Sequence, residues 1–347
     1  MTERRLYLDV GVGETRGVVT LDGRPERLLV SRDDDRPSQA LGAEVVARVR
    51  KLDRALAIAF LDLGEGPDAV LNLRPEMGRI VEGQALRVEI RAEARGGKGA
   101  SARLIGEDEG TPRVTRPAPS IEEELRAFGS NGEIVTGGKA RAVADLSEAE
   151  ALERIFPLPG GGTIAVERTR ALLAVDVDVG DRPGGEAKRA TRAANLAALA
   201  TAARVLRLKG EGGLVVIDLA GRGHDGPPLI AAARAAFAPD NPGVALGPIS
   251  RFGTLELTVP RRRRSIADRL LDADGRPTAQ TLALRLVRVL EREAAAEPGA
   301  RIAAHAAPDV VAAAASYLKA LESRFGARLS VVADPTRPLE AFEVVPR

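Results

Sequence analysis

Between Gly160 and Asp218 the chain reads as strand, long helix and strand, and no other stretch restricts the fold as much. It opens with the turn Gly160-Gly161-Gly162, runs through TIAVER and ALLAVDVDV, crosses a Gly/Pro-rich loop, continues as EAKRATRAANLAALATAARVLRL and closes with GGLVVIDLAG. In ALLAVDVDV the residues alternate as in a strand, so Leu172, Ala174, Asp176 and Asp178 share one face and Leu173, Val175, Val177 and Val179 the other. Leu196, Leu199, Ala203 and Leu206 recur at helical spacing in the following segment. A strand, a crossover helix and a second strand predict parallel pairing. Sites in open α/β sheets form at the carboxyl ends of the strands. Asp178 and Asp218 fall at such ends, and Asp176 and Asp178 lie roughly 7 Å apart along one strand.

Asp176, Asp178 and Asp218 could ligate a hard divalent cation, Mg²⁺ or Mn²⁺, directly or through water. Such an ion activates a water molecule and neutralises charge that builds on a phosphodiester. The spacing alone equally admits acids that cap the next loop, or an aspartate-based phosphotransfer site on a doubly wound sheet. His224, in the loop GRGHDG, is a further candidate ligand or base, whereas His305 lies on an apolar strand and reads as a core or interface residue. The absence of cysteine excludes disulfides, thiolate zinc sites and a cysteine nucleophile.

Around this centre the chain divides into further units. Residues 4–31 read as a β-meander turning at Asp22-Gly23, too small to bury a core without a later partner. Residues 41–107 hold EVVARVRKL, LAIAFLDLG, AVLNL, ALRVEIRA and SARLI, a pattern that suits a small Greek-key barrel of the OB type. Such barrels bind single-stranded nucleic acid. There Phe60 is either a stacking residue or part of the barrel core, and Lys98, in RGGKGA, either a phosphate contact or a solvated turn residue. Residues 108–120 read as a linker, Ser120 as the N-cap of IEEELRAF, and Ser147 with Glu150 as a capping box opening a helix. The run Arg261 to Arg264 is either a solvated linker or a phosphate-backbone contact. Residues 276–347 read as a last α/β unit. No run approaches about 18 apolar residues, so no transmembrane helix is expected, and the start MTERRLYLDVG lacks a signal-peptide core, which makes the cytoplasm the expected location.

The blocks GGGTIAVERTRALLAVDVDVG, ANLAALATAARVLRLKGEGGLVVIDL and PISRFGTLEL resemble the catalytic core of the ribonuclease E/G family. LDVGVGETRGVVTLDG, and AIAFLDLG followed by RGGKGA, extend the resemblance over nearly the whole chain. It implies a mixed α/β and β multidomain fold: a ribonuclease-H-like domain in two pieces (1–31 and 118–158), an OB barrel inserted at 32–117, a deoxyribonuclease-I-like catalytic domain at 159–272, and a small C-terminal domain at 273–347 that helps dimerisation.

The resemblance further implies endonucleolytic cleavage of single-stranded RNA by a metal-activated water, leaving 5′-phosphate and 3′-hydroxyl ends. Asp176 and Asp218 match the metal-binding aspartates, and Asp178 stands where the family usually has a supporting Asn. Phe60 and Lys98 match RNA-contacting barrel positions, and the resemblance makes Asn195, on the Asn-Leu pair, and Arg251, on Ile-Ser-Arg-Phe-Gly, further expected RNA contacts. Asp178 in place of Asn, Val179 in place of Ser and Gly221 in place of a second Asp are departures. The zinc-linking Cys-x-x-Cys is absent, so no zinc and no zinc-linked tetramer is expected; the 5′-sensing segment has no counterpart, so weak dependence on the RNA 5′ end is expected. The alternatives are a non-cleaving RNA- or ribosome-binding protein and a small-molecule phosphohydrolase.

Overall fold

The computed structural model describes residues 3–129, 132–181, 187–223 and 225–346. The chain begins with β1 (Arg4–Val10), β2 (Glu14–Leu21) and β3 (Arg24–Arg32). These pair as an antiparallel meander that turns at Asp22 and Gly23, both at positive φ, as the Asp-Gly signal predicts. The barrel strands follow: β4 (Glu44–Asp53), β5 (Ile58–Asp62), β6 (Ala69–Asn72), β7 (Ala85–Ala92) and β8 (Ser101–Glu107). They close in the order β4-β5-β6-β8-β7-β4, with β6 and β8 parallel. β9 (Arg113–Arg116) pairs with β4, so the segment expected to be a linker is in part an added edge strand.

Helix α1 (Ile121–Phe128) begins at a capping box in which Ser120 and Glu123 satisfy each other's backbone N–H, as expected. β10 (Ile134–Val135) pairs parallel to β1 and completes the first sheet. Helix α2 (Gly137–Leu152) then runs unbroken through Ser147. The expected helix start there is corrected: the Ser147 hydroxyl donates to the Val143 carbonyl at 2.7 Å, one turn back, rather than capping. Ile121 and Leu125 of α1 pack on one face of the first sheet and Ala140 and Ala144 of α2 on the other, so the meander finds its partners later in the chain.

The central sheet is built from β11 (Ile155–Pro157), β12 (Thr163–Arg168), β13 (Leu173–Asp178), helix α3 (Ala187–Lys209), β14 (Gly213–Asp218), helix α4 (Gly226–Phe237), β15 (Ala245–Ile249) and β16 (Thr254–Val259). Its order is β11-β12-β13-β14-β16-β15, with β13 and β14 parallel as the crossover predicts. Leu173, Val175, Val177, Val215 and Ile217 form one core with Ala198, Leu199 and Ala202 of α3 and Leu229, Ala233 and Phe237 of α4. Burying that apolar stripe is the main drive to fold here. Among the described residues both helices lie on this one face, so the sheet is not doubly wound. After α5 (Ile266–Leu270), the chain ends in α6 (Ala279–Ala296), β17 (Ile302–Ala306), α7 (Pro308–Phe325), β18 (Leu329–Ala333) and β19 (Phe342–Pro346), two helices on a three-stranded sheet with its own core. His305 is half-buried on β17. No helix among the described residues is long and apolar enough to cross a membrane.

Buried ion pairs join these units. Arg16, 1% exposed, pairs with Asp9 and with Glu148 of α2, and Arg288 of α6 pairs with Glu14 and Glu148. Burial would raise the Glu148 carboxyl, but Arg288, Arg285 and Arg16 outweigh it and hold it below the usual range. At the end of α3, Lys209 donates to the Ala151 carbonyl at 2.8 Å and stands 5.3 Å from the Phe156 ring centre. Burial, only partly offset by Glu211 and Glu153, lowers its pKa from 10.5 to about 8. The unfolded chain therefore holds this proton more tightly, and the cost is complete below about pH 8 and disappears as pH rises through 10.5. Urea unfolding should show wild-type stability rising relative to Lys209→Met between those limits. A pH-independent difference contradicts the burial of this charge.

Candidate functional site

The site grows from the pairing of β13 with β14. Asp176 stands directly beside Asp218 across the parallel strands, and neighbours in such a pair project to the same face. Adjacent strands lie roughly 4.8 Å apart, so the two carboxylates share one locality. That face is the uncovered one: Asp176, Asp178 and Asp218 are exposed, while the intervening valines and Ile217 are buried under the helices. Among the described residues the Asp176 and Asp218 carboxylates have no hydrogen bond or ion pair. Two unpaired like charges side by side repel, and a hard cation relieves that repulsion. The donor set therefore fits Mg²⁺ or Mn²⁺ held by two carboxylates and completed by water. No group of three or more His, Asp or Glu side chains among the described residues is gathered for a metal.

Asp178 lies two residues past the last pairing of β13 with β14, opposite Thr163 of β12. Its Oδ1 accepts the Gly180 N–H at 2.9 Å, so this acid caps its own loop. The loop is tight: Gly162, at φ +79°, approaches so closely that a Cβ would lie 2.3 Å from the Asp178 carbonyl oxygen. After β14, Gly221 turns at φ +83°, and a Cβ there would lie 2.9 Å from Thr191. His224 lies outside the described residues.

Asn195, on α3, is 1% exposed. Its amide donates to the Ala220 carbonyl at 3.0 Å, and its carbonyl accepts the Ala220 N–H at 2.9 Å. With both ends of the amide engaged, the geometry gives Asn195 a positioning role: it holds the loop that leaves Asp218. The amide expected to contact RNA is here occupied by the Ala220 backbone.

Arg251 is exposed in the turn between β15 and β16. That turn borders Asp218, since Thr254 stands beside Asp218 and the Leu219 N–H donates to the Gly253 carbonyl at 3.2 Å. Asp176, Asp178, Asp218, Asn195 and Arg251 therefore gather at one end of the central sheet. The alternation read from the sequence and the motif around Arg251 carry these placements; the neighbouring exposed Phe252 was missed as a candidate, although it stands in the same motif.

Phe60 and Lys98 stand elsewhere. On β5, Ala59 and Leu61 fill the barrel core, while half-buried Phe60 points to its outer face. Lys98 is exposed on a hairpin that bridges Arg95 and Lys98 across Gly96-Gly97, both glycines at positive φ. The barrel leans on the opposite end of the central sheet: Arg95 donates to the Arg261 carbonyl, and Arg261 to the Gly212 carbonyl at the start of β14. Five residues of β14 separate that contact from Asp218, a span of roughly 20 Å. The run Arg261–Arg264 is neither a solvated linker nor a free phosphate contact. Arg262 donates to the Pro242 carbonyl, Arg263 pairs with Glu124, and Arg264 pairs with Asp35. It is a clasp between the barrel, the first sheet and the central sheet.

Fold and site together define a mixed α/β protein with a closed five-stranded barrel and an exposed acid pair on a one-sided sheet. Residues 133–264, which contain the acid pair, match the model of the Ribonuclease E/G family. Ribonuclease E of Haemophilus influenzae is 33% identical over 161 residues, covering 42% of this chain and 17% of that protein. Ribonuclease G of Salmonella typhimurium is 27% identical over 209 residues, covering 56% of this chain and 43% of that protein. A ribonuclease E/G-like chloroplastic protein of Arabidopsis thaliana is 31% identical over 120 residues, covering 33% of this chain and 12% of that protein. Through this segment the chain is similar to the ribonuclease E/G family. It spans less than half the length of these relatives.

The Asn195–Ala220 pair makes a testable demand. Asn195→Ala removes two hydrogen bonds and leaves a polar backbone unmatched, which should cost about 2 kcal/mol. Urea denaturation should show this loss with an unchanged slope. Unchanged stability contradicts the positioning role.

Proposed function

We propose that the chain is a metal-dependent endoribonuclease acting on single-stranded RNA. The observation that carries this reading is the side-by-side placement of Asp176 and Asp218, exposed and unpaired among the described residues, inside the segment that matches the family. Asp176 and Asp218 would hold Mg²⁺ or Mn²⁺ through their carboxylate oxygens. When bound, the ion supplies an activated water and neutralises developing charge on the phosphodiester. The chain's own residues do the rest. Asp178 fixes the loop after β13 through Gly180, Asn195 fixes the loop after β14 through Ala220, and Arg251 offers a cation to the RNA backbone beside Asp218. Water attack on phosphorus with departure of the 3′ oxygen gives 5′-phosphate and 3′-hydroxyl products.

The remaining readings belong to the same proposal. The first sheet with α1 and α2 acts as a ribonuclease-H-like domain, the closed barrel as an OB-type RNA-binding domain through Phe60 and Lys98, and the central sheet as a deoxyribonuclease-I-like catalytic domain. The C-terminal unit supports a homodimer. With zinc ligands of the cysteine type absent, the dimers are not joined by zinc, and cleavage depends weakly on the RNA 5′ end. The expected setting is cytoplasmic RNA processing or decay. One observation favours a second reading, RNA binding without cleavage: Asp178 is engaged with Gly180, leaving two free carboxylates and no gathered third ligand among the described residues.

A fluorescent AU-rich single strand with Mg²⁺ or Mn²⁺ separates the two. Wild-type protein should cut it, and Asp176→Ala and Asp218→Ala should each lower the rate at least about 100-fold, the scale expected when a group acting in the transition state is removed. Tight, metal-independent binding with no cutting by any form favours the second reading.

A further inference from the structure

The site leaves one aromatic side chain without an evident role. Phe252, at the tip of the β15–β16 hairpin, is 77% exposed, so its ring serves no core. An exposed ring at a rigid position is costly in water and useful to a ligand. The position is rigid: the Phe252 and Thr254 N–H groups both donate to the Ser250 hydroxyl, at 3.2 and 3.3 Å, and the Ser250 N–H donates to the Thr254 carbonyl at 2.8 Å. The tip is tethered to the acid pair by Gly253 and Leu219, and Thr254 stands beside Asp218. Two residues along the strand and one strand across put Phe252 on the order of 10 Å from Asp218.

The surroundings fit an anionic, planar guest. The Arg251 guanidinium stacks 4.9 Å from the Phe252 ring centre, covering one face and leaving the other open. Between the hairpin tip and α4 lies a groove of about 930 Å³ that runs along the helix from Gly226 to Arg234 and is edged by Arg222, Arg234 and Arg251. None of these three arginines has a carboxylate partner among the described residues, whereas the arginines of the Arg261–Arg264 clasp are all engaged. Free cations around an exposed ring suit a base with its phosphate.

We infer that Phe252 is a base-stacking platform: an unpaired base of single-stranded RNA lies on the ring face opposite Arg251, its phosphates run along the Arg222 and Arg234 edge of the groove, and the strand is thereby registered over Asp176 and Asp218. This rests on the nuclease reading for its purpose but not for its test. Phe252 is a positioning residue that sets which phosphate meets the acid pair.

The chain contains no tryptophan, so Phe252→Trp places a single reporter at the platform. With EDTA present to prevent cutting, a decamer of oligoadenylate should quench its emission saturably, and the corresponding duplex should not. In anisotropy with the labelled decamer, Phe252→Ala should bind roughly tenfold more weakly than wild type, and Phe252→Trp should retain affinity. Unchanged emission while the decamer binds overturns the platform, as does wild-type affinity in Phe252→Ala or no decamer binding at all. Emission that shifts with protein concentration alone, without response to RNA, assigns the ring to a contact between copies and equally overturns it. Added Mn²⁺ separates the two ideas. Quenching without cleavage leaves the platform standing and removes the nuclease; cleavage without quenching does the reverse.

Discussion

The parallel pairing of β13 with β14 is the constraint on which the site depends. A parallel neighbour requires a crossover, and α3 supplies it by burying its apolar stripe on one face of the sheet. Once that face is spent on packing, the alternation of the strands sends Asp176 and Asp218 to the other. Chains far apart in sequence thus deliver two carboxylates to adjacent positions. Among the described residues neither acid has a compensating partner, so the stability of the fold is carried by the helix-covered face and the charge is left for a ligand.

α3 also ties the site to the rest of the molecule. Leu199 and Leu206 lie in the core of the central sheet, while Leu208 joins the core of the first sheet. Arg204 donates to the Pro25 carbonyl, and Arg207 pairs with Glu26 and Asp240. The arginine clasp at 261–264 fixes the barrel against the far end of β14. A buried pair of this kind contributes little net stability, and here the pairs are shared, since Asp240 also meets Arg27 and Asp35 also meets Arg269. The same clasp separates the barrel contact from the acid pair by the length of β14, so a strand of RNA touching both would lie along the sheet.

Much of this was legible in the residues. The period-two run ALLAVDVDV and the helical spacing of Leu196, Leu199, Ala203 and Leu206 carry the parallel pair and the open acid face. Asp22-Gly23 and Ser120 with Glu123 carry a hairpin and a helix start through local hydrogen bonds. Local signals fail where distant partners decide. Ser147 has the spacing of a cap, but packing of Ala140 and Ala144 on the first sheet keeps α2 continuous, and Ser147 bonds backward to Val143. The Arg261–Arg264 run has the composition of a phosphate contact, but its carboxylate partners come from segments more than a hundred residues away. Asn195 shares a motif with exposed residues, yet only the structure reveals that its amide is occupied by Ala220. The family match, over residues 133–264, is narrower than the resemblance read along nearly the whole chain.

The most direct measurement is a crystal soaked in Mn²⁺ and recorded at the manganese edge. An anomalous peak between the carboxylates of Asp176 and Asp218, lost in Asp218→Asn crystals, is the predicted result. A peak confined to other acids, or none at this pair at full occupancy elsewhere, contradicts the claim that these two side chains form a cation site.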